Sequence, residues 1–87
     1  MTHLASITVI NSAGNEEYIE YFYNPDTKTY HTRITEDIFM TYELFTEELE
    51  ISEETALKEI AMIKTCPDPD NKMCQCPVHR SGHRFGI

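Results

Sequence analysis

A chain of 87 residues is one small domain that buries only ~60–65% of its unfolded surface, so a core alone supplies little stability and a staple would help. Fifteen acidic residues against seven Lys and Arg give a net charge of −8, which excludes general affinity for nucleic acid, because that affinity comes from basic side chains displacing counterions. No apolar run approaches the ~20 residues of a membrane-spanning helix.

The hydrophobic fraction of 40%, with five tyrosines and four phenylalanines, is that of a folded chain rather than a disordered one. The acidic balance fits solubility alone, a protein partner with a basic surface, or a mimic of nucleic-acid charge. Met1-Thr2-His3-Leu4 lacks the basic stretch that precedes the apolar part of a secretory leader. Three cysteines is an odd number for a disulfide scaffold, so a reducing, cytoplasmic setting is expected.

The first third alternates with period two. Residues 4–10 place Ala5, Ile7 and Val9 on one face and Ser6 and Thr8 on the other. Asn11 to Asn15 is turn chemistry. Residues 17–23 form a second strand, with Ile19, Tyr21 and Tyr23 opposed to Tyr18, Glu20 and Phe22. Asn24-Pro25-Asp26-Thr27 supplies the next turn, and residues 28–34 return as a third strand. Short connections make this a three-stranded antiparallel meander.

At Thr35 the spacing predicts a helix: Ile38, Tyr42, Phe45 and Leu49 recur at helical intervals. Thr35 would cap it, with Glu36 and Asp37 at the positive end of the dipole. Ser52 offers a second cap, and a second helix over 53–64 would turn Leu57, Ile60 and Ala61 inward until Pro67 stops it. The expected fold is α+β: a three-stranded antiparallel meander followed by two helices packed on one face of the sheet. Residues 1–65 would form that domain, and residues 66–87 an irregular Cys/His-rich segment packed on it.

That segment spaces its candidate ligands Cys-x7-Cys-x-Cys-x2-His-x3-His, at Cys66, Cys74, Cys76, His79 and His83. Zinc takes four thiolate or imidazole ligands in a tetrahedron, and a bound metal would supply folding energy to a stretch too polar to make a core. The favoured set is Cys66, Cys74, Cys76 and His79, with His83 as a substitute or supporting group. The competing readings are an inert tail, a disulfide from Cys66 to Cys74 or Cys76, an iron–sulfur cluster, and a thiol redox pair.

Residues 45–60 resemble the helix-turn-helix motif of bacterial regulators. Leu49 would end the first helix, Ile51 would fill the turn, Ser52 would cap, and Thr55-Ala56 would enter the second helix. The resemblance implies a transcription regulator. It departs at Glu50, where glycine is usual, and Glu53, Glu54 and Glu59 would repel duplex in the major groove.

The aromatics of the second strand suggest a protein-binding surface at Tyr18, Glu20 and Phe22, since rings are common interface anchors. No nucleophile motif or phosphate-binding loop is present. The sequence therefore reads as a non-enzymatic protein-binding or regulatory module, stapled by structural zinc, with another protein rather than nucleic acid or membrane as its partner.

Overall fold

The computed structural model describes residues 1–80, and His83 lies outside them. Four strands follow in chain order, β1 (Thr2–Ile10), β2 (Glu16–Asn24), β3 (Thr29–Ile38) and β4 (Glu43–Ile51), then α1 (Glu53–Lys64) and the single turn α2 (Pro77–Arg80). The strands form one antiparallel meander in the order β1-β2-β3-β4.

This corrects the expected three strands and two packed helices. Residues 35–51 are not helical. β3 runs on to Ile38, a four-residue loop reverses the chain, and β4 returns in unbroken register from Ile38↔Glu43 to Tyr30↔Ile51. The loop closes with the Tyr42 N–H donating to the Ile38 carbonyl at 2.8 Å. Tyr42 sits at φ 58°, in the left-handed region that usually selects Gly or Asn, so no turn residue marked the reversal. The loop between β2 and β3 has the same length, between Asn24 and Thr29, with Lys28 at φ 58°.

The helix-turn-helix resemblance falls with the same correction. Its first helix is the strand β4, and the second is α1 alone. Residues 45–60 hold no pair of helices and no recognition helix.

One face of the sheet carries the core. Ile7, Ile19 and Ile34 lie side by side across β1, β2 and β3, all three buried. Burying an isoleucine contributes about 1.5–3 kcal/mol. Helix α1 covers this face, packing on β1 and β3. Ser52 caps it by accepting from the Thr55 N–H, and Glu53 and Glu54 occupy its first turn, as the spacing predicts.

The buried stripe of α1 is Ala56, Glu59, Ile60 and Ile63, rather than Leu57, Ile60 and Ala61. Leu57 is 51% exposed. The helix is rotated because Glu59 turns inward and accepts a 2.6 Å hydrogen bond from the Tyr21 hydroxyl. Such a bond satisfies two polar groups that are costly to bury alone.

Candidate metal centre

The chain after α1 is shaped by turns. Thr65 caps the helix by donating from its N–H to Ile63 and Met62, and the Cys66 N–H donates to the Ile63 carbonyl at 3.0 Å. This holds Cys66, buried, at the end of a rigid element. Two further turns follow, closed by Asn71 N–H to Asp68 O and Cys74 N–H to Asn71 O. The Asn71 side chain accepts from the Met73 N–H at 2.9 Å. Cys76 precedes α2, and Pro77 takes the first helical position, where the missing N–H costs nothing. One turn later His79 faces back toward Cys76.

These turns bring Cys66, Cys74, Cys76 and His79 together, with ligand atoms all within 4.8 Å of one another. The Cys66 sulfur lies 3.7 Å from that of Cys74 and 3.2 Å from that of Cys76. The Nδ1 atom of His79 lies 3.3 Å from the Cys66 sulfur and 3.2 Å from the Cys76 sulfur. Ligands about 2.0–2.3 Å from a tetrahedral zinc stand about 3.5–3.8 Å apart, close to this spacing. The cluster could hold a metal ion.

The histidine is prepared for that role. Its Nε2 lies 2.8 Å from the Thr8 carbonyl oxygen. A carbonyl only accepts, so Nε2 carries the proton, and the neutral ring then presents the Nδ1 lone pair to the three sulfurs. Metal-bound histidines use their other nitrogen in this way, which fixes tautomer and orientation.

The thiols differ in ease of ionisation. Burial pushes the Cys66 thiol up, reinforced by hydrogen bonding with Cys76. Burial also opposes ionisation of Cys76, but hydrogen bonding with the His79 ring, whose Nδ1 can accept the thiol proton, and with the His79 backbone, Cys66 and Cys74 outweighs it and lowers that thiol. A thiolate thus forms more easily on Cys76, beside the histidine, than on Cys66.

The cluster is docked on the sheet edge. Thr8 lies on the outer strand β1, and its N–H donates to the Pro69 carbonyl at 2.8 Å while its carbonyl accepts from His79. Both outward-pointing groups of one residue are therefore satisfied by the C-terminal segment. Lys72 adds a 3.1 Å ion pair to Glu16, and Val78 joins the hydrophobic core, with Cys76 packed against it. Sequence reasoning missed Thr8, because the contact uses its backbone, which no side-chain pattern reports.

The other predicted site lies on the face turned away from α1. Tyr18, Glu20 and Phe22 pair with Thr35, Arg33 and His31. Tyr18 is 38% exposed. Phe22 is buried, covered by the edge of the His3 ring at 5.4 Å and by the Arg33 guanidinium at 4.8 Å. Glu20 lies within 4.0 Å of both His3 and Arg33. Of the three, Tyr18 offers the open ring.

No helix among the described residues is long and apolar enough to cross a membrane. Comparison of the chain with protein-family models, curated proteins and solved structures gave no match.

Proposed function

We propose that this chain is a small non-enzymatic module that binds another protein, with its C-terminal segment held by a structural zinc. The observation that carries the zinc is the convergence of Cys66, Cys74, Cys76 and His79 around a histidine whose free lone pair is fixed by Thr8. Three soft sulfurs and one imidazole suit zinc better than magnesium or calcium, which prefer oxygen. Four protein donors fill a tetrahedron and leave no position for water or substrate, so the role is structural rather than catalytic. Reduced thiols at this density suit a reducing compartment such as the cytoplasm.

The binding role rests on surface chemistry. A net charge of −8 favours a partner with a basic surface and raises the rate of encounter with it. Tyr18 supplies an open aromatic ring beside Glu16 and Glu20 on the face left bare by α1. The test is metal content together with melting. The zinc reading expects one zinc per chain, released by thiol modification, with a lower melting temperature after Cys76→Ser. A metal-free chain whose melting is unchanged by that substitution would overturn it.

A further inference from the structure

The two edges of the sheet are treated differently. β1 is sealed at Thr8 by Pro69 and His79. β4 is the other terminal strand, and seven of its nine residues are exposed. Natural edges are usually blunted by charged side chains, Pro, a bulge or a short length. Of these Glu43–Ile51 has only charge, all of one sign: it is nine residues long, contains no Lys, Arg or Pro, and pairs with β3 without a register shift.

Its free groups can be located from the pairing. Hydrogen-bonded and non-bonded pairs alternate along an antiparallel ladder. The row Thr8↔Tyr18↔Thr35↔Thr46 crosses the whole sheet. Thr8 points its N–H and carbonyl outward, so Tyr18 bonds to Thr35, and Thr46 in turn points outward. By the same alternation Leu44, Glu48 and Glu50 offer outward backbone groups. Leu44 and Phe45 are 68% and 57% exposed, one on each face, giving an added strand apolar contacts above and below.

Charge selects the occupant. Glu43, Glu47, Glu48 and Glu50 lie on this one strand. Pairing with a second copy would set two such groups of four glutamates along one seam, and like charges across strands are destabilising. A basic strand would reverse the sign of these contacts, with Glu48 already paired to Arg33 at 3.5 Å. We propose that the outer edge of β4 accepts an extended, basic segment of another protein as a fifth strand. The proposal rests on the reading of the chain as a protein-binding module and names both the surface and the form of the ligand. Main-chain hydrogen bonds would supply affinity and the alternating side chains specificity.

The test uses the full chain and a fluorescent nonapeptide of alternating Lys and Val, followed by anisotropy. Binding is expected, and N-methylation of alternate peptide residues should weaken it at least tenfold by removing main-chain donors. Thr46→Pro should weaken it as much, since proline removes an outward N–H and leaves the β3–β4 ladder intact. The double substitution Glu43→Gln with Glu50→Gln changes two exposed side chains and should also weaken it, with a smaller salt dependence. Equal affinity for the N-methylated peptide, or for these variants, overturns the proposal, as does the absence of binding. Dimerisation of the wild-type chain that Thr46→Pro abolishes overturns the basic occupant. Binding abolished by Tyr18→Ala and retained by Thr46→Pro would keep the protein-binding reading and overturn the edge.

Discussion

His79 and Thr8, 71 positions apart in the chain, meet through a 2.8 Å hydrogen bond from the imidazole to the backbone of the first strand. The bond holds the fourth donor of the Cys/His cluster against the sheet. The Thr8 N–H is held in turn by Pro69. Ligand geometry and closure of the β1 edge are thus one structural event, and disturbing either should be felt at the other.

If the cluster holds zinc, as proposed, removing it should open the edge. Chelation should speed hydrogen exchange at the Thr8 amide, whose acceptor lies in the C-terminal segment, and leave the amide of Ile19, on interior strand β2, protected. Local openings of this kind are read residue by residue. Unchanged exchange at Thr8 after complete chelation would contradict the coupling.

Substituting a clustered residue should weaken zinc binding and melting together. Cys66→Ser and His79→Ala should each lower zinc affinity by at least ~10–100-fold, the scale already seen when only a supporting partner of a ligand is lost. With free zinc at 100 times the dissociation constant, binding stabilises the fold by about 2.7 kcal/mol, and both variants should lose about half of that or more in thermal melts. Variants that melt like the parent in zinc and in chelator alike would count against the staple.

Zinc affinity should also rise with pH between about 5 and 8, because thiols and imidazole must lose protons to bind. Competition with a chromophoric chelator, corrected for the chelator's own protonation, measures this. A flat profile would argue against thiolate ligation.

The Tyr21–Glu59 pair gives a prediction away from the metal. Burial holds the Glu59 carboxyl above its ordinary 4.5, against the opposing effects of the Tyr21 bond and Lys58. Burial and the Glu59 contact likewise keep the Tyr21 hydroxyl protonated. With the folded value raised, the Glu59 contribution is full below pH 4.5 and is lost as pH rises through the folded value. Glu59→Gln should therefore gain melting temperature relative to the parent as pH rises from 4 to 7. Tyr21→Phe should cost about 2 kcal/mol at pH 7, since it strips a buried carboxylate of its donor. A Glu59→Gln difference that is constant with pH would refute the assignment.

The sequence was most legible where one period had one meaning. The strict alternation around Ile7 and Ile19 and the Ser52-Glu53-Glu54 cap led directly to β1, β2 and α1. Residues 35–51 misled because Phe45 and Leu49 are four apart, a separation shared by one face of a helix and one face of a strand. The step from Ile38 to Tyr42 crossed a turn with no Gly or Pro, and strand pairing overrode helix-favouring glutamates. That Cys66, Cys74, Cys76 and His79 come together was readable from residue types and spacing. The order of the turns, the anchor at Thr8 and the inward rotation of Glu59 depend on contacts between distant segments, which spacing does not encode.

On the proposed reading, a zinc ion closes the C-terminal segment onto the sheet. Native mass spectrometry of the freshly purified chain, before and after chelation and on Cys66→Ser, tests it most directly. One zinc per wild-type chain is expected, removable by chelator and absent from the variant. A wild-type chain that carries no metal and binds none when zinc is added would contradict it.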